Sequence, residues 1–405
     1  MKTNASWDGA DFGQLLSFYE HHLLSEVLPF WTGNCIDWAY GGINTCVTDE
    51  GVVQSTDKYM WPQGRALWVF SALHNEFPTD RNWLQIADNI AAFIMHHAPG
   101  EGGAWPFCLH RDGTIAISPQ SVYADAYVMS GLTEYARATG DNRAIQLAVQ
   151  GFHRTSPLLD DHSTLPTQPL PIPNGLQAHG PSMVFANVYH DLALLTGDSS
   201  IAARALELAE KVMNEHVRPD RQLLFEFVLP GGGLDDSDAG KTFLPGHGIE
   251  SMWIMEQIYS RHGRQDRVAE AMEVIRWNME KGWDDEYGGI FLACHTEGGA
   301  PRWQEPDAKM WWPHAEALYG LLRAYQVTGE AWCLDWYRRV HDYSFSTFPN
   351  REHGDWHQNL DRQGRRIPLA AKSLADKDMF HIPRALILSR KVLRALAESK
   401  SSAGT

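Results

Sequence analysis

The chain has 405 residues, with 34 lysines and arginines against 50 aspartates and glutamates, for a net charge of -16. Such a surface repels phosphate backbones and anionic lipid, which argues against nucleic acid and membranes as partners. No uninterrupted apolar run reaches the ~18 residues of a membrane span, no apolar leader begins the chain, and a cytoplasmic location is expected. The five cysteines are scattered and lack a C-x-x-C pair, so they read as reduced packing residues, not as a disulfide framework or zinc site.

In chain order, a first helical stretch from Asp11 to Trp31 is followed by the glycine-bearing segment YGGINTCVTDEG from Tyr40. Helical periodicity then returns twice, over Gln63 to Glu76 and Asn82 to His97, before EGGAWPFCLHRDG from Glu101. The next pair covers Ser121 to Thr139 and Arg143 to Leu158, then come a proline-rich loop from Leu165 to Pro173 and helices over Met183 to Leu195 and Ile201 to His216. A strand-like run, Leu223 to Val228, precedes Gly248 to His262 and Arg267 to Lys281. EYGGIFLACHTEGG from Glu286, helices over Trp312 to Thr328 and Trp332 to Phe348, EHGDWHQNLDRQG from Glu352 and a helix over Phe380 to Glu398 complete the chain.

Each glycine-bearing segment reads as a small β-hairpin with turn residues at both ends. Gly42, Gly103, Gly289 and Gly354 are separated by 61, 186 and 65 residues, and 186 is three times 62. The spacing therefore implies six units, with two weakly marked copies between Gly103 and Gly289. Breaks such as Thr139-Gly140-Asp141-Asn142 and Thr196-Gly197-Asp198 end one helix with glycine and cap the next with aspartate.

Six helical hairpins can close into a toroid, an (α/α)6 barrel; an open superhelix is the structural alternative. We expect a single all-α catalytic domain over residues 1–405, with β-hairpins at the active-site mouth and loose termini over 1–10 and 400–405. The first helix of each pair is apolar on several faces and belongs to the inner ring. Their N-termini then point to one mouth.

The starts of those helices bring together Trp61 and Arg65, Tyr123 and Asp125, Met183 and Asn187, His247 and Glu250, Trp312, His314 and Glu316, and His381 with Arg384. Histidines recurring at one phase of a repeat, with an arginine and carboxylates around them, suit proton shuttling better than hydride or phosphoryl transfer. His353 and His357 have metal-ligand spacing but fall in a hairpin, with no H-E-x-x-H helix, so no metal site is expected. The stretch from Gly233 to Thr242 has six residues between its glycines where a P-loop has four, and neither G-x-G-x-x-G after a strand nor G-x-S-x-G occurs.

WPQGRALW (from Trp61), PGHGIE (from Pro245), GWDDEYGGIF (from Gly282), KMWWPHAEAL (from Lys309) and FHIPRAL (from Phe380) stand in the same order as in a known family. The whole chain resembles the N-acylglucosamine 2-epimerases, which include the renin-binding proteins, and their relatives the mannose and sulfoquinovose isomerases and cellobiose 2-epimerases. The resemblance implies an (α/α)6 barrel in which His247 and His381 are the acid/base pair, Arg65 and Glu316 are essential, and Glu250 supports His247. Glu250, Tyr123, Asn187, Met183, Trp312, Lys241 and Trp61 are expected as substrate contacts. It implies no metal or nicotinamide for the chemistry, ATP as a possible allosteric activator, and a homodimer. Lys241 and Leu244 depart from the Arg and Asn common in the family, and Met183 stands where the isomerase and cellobiose branches carry a third histidine. That last departure favours the N-acylglucosamine branch.

The expected reaction is removal of the C2 proton of an open-chain sugar by one histidine and return of a proton to the opposite face by the other, with Arg65 beside the developing oxyanion. Reprotonation at C1 instead would give an aldose–ketose isomerase. An inverting glycosidase using Glu250 and Glu316, and a non-catalytic sugar- or protein-binding role, are the other readings.

Overall fold

The computed structural model describes residues 11–368 and 377–403; residues 1–10 and 404–405, expected as loose ends, lie outside the described residues. The helices are α1 (Phe12–His21), continued through a π-helical turn into α2 (Leu28–Asn34), α3 (Met60–Glu76), α4 (Arg81–His96), α5 (Val122–Thr139) and α6 (Asn142–Thr155). They are followed by α7 (His179–Thr196), α8 (Ser199–Lys211), α9 (Pro245–Arg261), α10 (Gln265–Gly282), α11 (Trp311–Thr328), α12 (Ala331–Thr347) and α13 (His381–Ala403). Gly140 and Gly197 take left-handed conformations and end α5 and α7, while Asp141 and Asp198 accept backbone N–H bonds at the starts of α6 and α8.

Helix α3 packs on α5, α5 on α7, α7 on α9, α9 on α11, α11 on α13, and α13 returns to α3, so the inner helices form a closed ring. Each is backed by its own outer helix, α13 by α1. The inner helices bury nearly every residue of their first three turns, as a helix packed on several sides must. Closure of this ring excludes the open superhelix.

Short hairpins form as expected at the first two glycine-bearing segments, Cys46–Val47 with Val53–Ser55 and Cys108–Leu109 with Ile115–Ile117, and the strands also pair beyond their own unit. Several of those that enter an inner helix pair antiparallel with a strand from the next unit: Lys58–Tyr59 with Cys108–Leu109, Gln177–Ala178 with Phe227–Val228, Thr242–Phe243 with Cys294–His295, and Lys309–Met310 with Asn359–Leu360. Two-residue strands carry too few ladder bonds to stand alone, and pairing between units ties neighbouring helix starts together.

The repeated glycines serve a tight turn. Asp37 N–H donates to Gly42 O at 3.0 Å and Gly41 N–H to Asp37 O at 2.8 Å; Asp284, Gly288 and Gly289 repeat this at 2.9 and 2.8 Å. All four glycines have φ between +75° and +88°, where a Cβ is strained. The turn aspartates are clasped from behind by fully buried lysines: Lys58 Nζ lies 3.0 Å from Asp37 and Lys309 Nζ 3.0 Å from Asp284, with Arg111 and Arg362 on the other side. A third version joins the two ends of the chain, Lys377 reaching Asp355 at 3.0 Å and Asp49 at 3.3 Å.

Candidate active site

The inner-helix starts and the loops between them enclose a cavity of about 390 Å³, lined by Trp61, Arg65, Tyr123, Met183, His247, Glu250, Trp312 and His381 among others. His247 sits in the first turn of α9 between two glycines. A Cβ at Gly246 would stand 2.6 Å from the Trp312 ring and one at Gly248 2.4 Å from Asn278, so the P-G-H-G sequence is what lets the helix start approach α11 and α10 this closely. The Trp312 ring in turn lies 4.9 Å from the His247 ring and 6.0 Å from that of His381, centroid to centroid, and so touches both imidazoles.

His247 Nδ1 is 2.9 Å from Oε2 of Glu226, a residue of the strand region before α9. The Glu226 backbone is fixed by accepting the His179 N–H at 3.1 Å and donating to Thr242 O at 3.4 Å. Burial opposes the Glu226 charge, but His247 and His179 beside it win and hold its carboxyl well below the usual range. Burial also works against an imidazolium at His247; the carboxylate of Glu226, with Glu250 and Glu316 further off, outweighs it and raises the pKa of His247.

His381, at the first position of α13, has Nδ1 2.7 Å from Glu316 Oε1. The same Glu316 oxygen accepts Arg384 Nη2 at 2.7 Å, and its other oxygen accepts Trp253 Nε1–H at 3.0 Å. Burial again opposes the charge, yet Arg384 and His381 bring Glu316 down to about 2. Arg384 also donates to Glu250 at 2.5 Å. With Nδ1 of each histidine engaged by a carboxylate, the other nitrogen of each is the one left for substrate.

Arg65, from the second turn of α3, donates to Asp378 Oδ1 at 3.1 Å and to the Tyr127 hydroxyl at 2.8 Å. Its guanidinium is stacked 4.1 Å from the Tyr127 ring, 4.9 Å from Phe380 and 5.0 Å from Trp61. Burial disfavours the cation, but Tyr127 and Asp378 raise its pKa, so it stays charged in an aromatic cage. Asp378 further accepts the Phe380 N–H at 3.1 Å and so sets the start of α13.

Several expectations are corrected. Glu250 lines the cavity and pairs with Arg384; the carboxylate in hydrogen-bond contact with His247 is that of Glu226, and Glu250 adds a weaker pull on the same imidazole. Glu316, expected as essential, lies behind the cavity wall and holds His381 through Nδ1. Asn187 faces a second cavity of about 410 Å³ at the opposite end of the ring, with Arg137 and Asp191. Helix α7 begins four residues earlier than expected, at His179, which places Asn187 two turns down the helix. Lys241 is paired with Glu297 at 2.9 Å and does not line the cavity. His314 bonds Ile290 N–H and Met310 O, is held neutral by burial with a pKa of about 3, and braces the glycine turn; Asp125 pairs with Arg154. A buried third histidine, His179, does exist one helical turn before Met183. Glu226, Tyr127, Asp378 and His179 were not anticipated, although Tyr127 follows Tyr123 by one turn.

The helical toroid and the two histidine–carboxylate clusters at its mouth define an enzyme of the isomerase and epimerase type, with a small sugar as substrate class. The chain belongs to the N-acylglucosamine 2-epimerase (GlcNAc 2-epimerase) family, whose model matches residues 41–385. It is 29% identical over 388 residues to the N-acylglucosamine 2-epimerase of Homo sapiens, covering 92% of this chain and 89% of that protein. The solved cellobiose 2-epimerase from Bacillus thermoamylovorans B4167 superposes with a TM-score of 0.80 at 18% identity, over 94% of this chain and all of the other. A D-mannose isomerase structure gives 0.77 at 18% identity, over 93% and 97%. At these identities the two structures speak to the fold alone. Among the described residues, no helix is long and apolar enough to cross a membrane.

Proposed function

We propose that the protein interconverts N-acylglucosamine and N-acylmannosamine by exchanging the C2 proton of the open-chain sugar between His247 and His381. The observation that carries this reading is the placement of two imidazoles around Trp312, each fixed through Nδ1 by its own buried carboxylate. One removes the proton from C2, and the other returns one to the opposite face, inverting the centre. The Arg65 guanidinium, caged and permanently charged, stabilises the oxyanion that develops on the C1 oxygen. Glu250 and Glu316 are both spent on Arg384 as carboxylates, which leaves neither to protonate a glycosidic leaving group.

The test is NMR of the products formed in D2O from N-acetylmannosamine and from mannose, with and without ATP. Deuterium at C2 of N-acetylglucosamine is the expected result, with faster exchange in the ATP arm if the activation implied by the family resemblance operates. Fructose from mannose, without turnover of the N-acyl sugar, would replace this reading with an aldose–ketose isomerase. Sugar binding with no deuterium incorporation would leave a binding protein.

A further inference from the structure

Two clusters of histidine and carboxylate flank the cavity, and in each the ligand-capable atoms lie within 4.8 Å of one another. Among Glu250, Glu316 and His381 the centre is taken by the Arg384 guanidinium, at 2.5 and 2.7 Å from the carboxylates and 3.4 Å from His381 Nδ1. Among His179, Glu226 and His247 there is no such cation: within the described residues, Glu226 has ion pairs only with the two imidazoles.

His179 is the unusual member. It is fully buried, and neither ring nitrogen has a hydrogen-bond partner among the described residues; Nδ1 stands 3.3 Å from Glu226 Oε2 but off the line of a hydrogen bond. With Nε2 unpartnered and Nδ1 given only an imperfect approach to Glu226, the ring is under-satisfied where it is buried and has room for a further partner. Two imidazole nitrogens and one carboxylate oxygen converging from α7, α9 and the bend before strand Phe227–Val228 form the donor set of zinc-like divalent ions. Ligands about 2.1 Å from a tetrahedral ion stand roughly 3.4 Å from each other; here the nitrogen–oxygen separations are 2.9 and 3.3 Å. His247 borders the cavity, which supplies the entry path.

We propose that His179, Glu226 and His247 form an inhibitory site for a zinc-class divalent cation. An ion bound at the two Nδ1 atoms displaces the proton there, so the neutral His247 ring carries its single proton on the nitrogen facing the cavity. That nitrogen then has no lone pair with which to accept a proton from C2, and the ion shuts off the base without competing for the sugar's position.

The experiment titrates the full chain, freed of metal by a chelator, with cobalt(II) as a spectroscopic stand-in for zinc. One equivalent of cobalt giving the visible bands of an imidazole-ligated ion, bleached by zinc, is expected. Removing even an outer partner of a metal ligand costs roughly 10–100-fold in affinity, so His179→Gln should weaken cobalt at least that much and leave whatever C2 exchange it retains insensitive to zinc concentrations that stop the parent. Glu226→Gln is the second variant, should the first misfold. His295→Gln, at a histidine 3.6 Å from Asp238 outside the cluster, should titrate like the parent. No stoichiometric cobalt band, a His179→Gln titration matching the parent, or loss of the band in His295→Gln would each overturn the proposal. The cobalt readout is independent of turnover, so a band in a protein without epimerase activity would keep the site and remove only the function proposed above.

Discussion

His381 shares its carboxylate with an arginine and a tryptophan, whereas His247 shares its own with another histidine. On the first side a permanent cation answers two buried carboxylates, and Arg384 is the largest of the influences that keep Glu316 ionised. On the second, among the described residues the groups that pair with Glu226 are both titratable, and the proton affinity of His247 rises as a result. Two imidazoles bordering one cavity thus need not be equivalent. A reversible proton exchange works with one side tuned by a fixed charge and the other by a movable one.

The largest expected effect comes from removing either base. His247→Ala and His381→Ala should each slow epimerisation by roughly 10²–10⁴-fold. In D2O, each variant should lose washout of the C2 proton from one epimer and keep it from the other; equal loss from both epimers in both variants would break the two-sided picture. Next comes Arg384→Met, which strands Glu250 and Glu316 without their cation and should cost about 3–5 kcal/mol in urea unfolding. Adding Glu250→Gln should recover part of that loss, and no recovery would show that Arg384 acts by packing alone.

The smallest effect is a displacement of pH dependence by Glu226→Gln. The pKa of His247 is raised in the folded protein, so its stabilisation is full below the unfolded value of ~6.5 and fades as pH rises through the folded value. The variant should therefore lose more stability in mildly acidic than in alkaline solution. Its kcat/KM should also keep an acidic limb, moved to lower pH, because the base deprotonates more easily. Glu316→Gln should behave oppositely: a carboxyl lowered to about 2 stabilises above its unfolded value of ~4.3 and loses that contribution only as pH falls toward 2.

The repeat carried most of the architecture. A 62-residue spacing and glycine–aspartate breaks are local signals, and they locate twelve helical stretches and the phase at which each inner helix begins. The partners of the site residues were less visible. Glu226 lies in a bend just before the two-residue strand Phe227–Val228, where no periodicity marks which way it faces. Asp378 stands just ahead of α13 and acts across the ring seam on Arg65, 313 positions away. Asn187 was misplaced because a helix start set one turn late turns a deep position into a mouth position. The charge clasps Lys58–Asp37 and Lys309–Asp284 were not predictable from a hydrophobic pattern, since a buried lysine is recognisable only by the partner that the fold brings to it.

The clasp between Lys377 and Asp49 spans 328 positions of chain, and Asn350 donates to the backbone of the same Asp49. Contacts of such separation carry the largest loop-closure cost and form late during folding. Arg65 with Asp378, and His381 with Glu316, straddle or border this join. A chain with all its hairpins built but its ends not yet met would therefore hold helical structure and a half-made site. Recovery of turnover in refolding would time the moment when the ring shuts, later than the return of helicity.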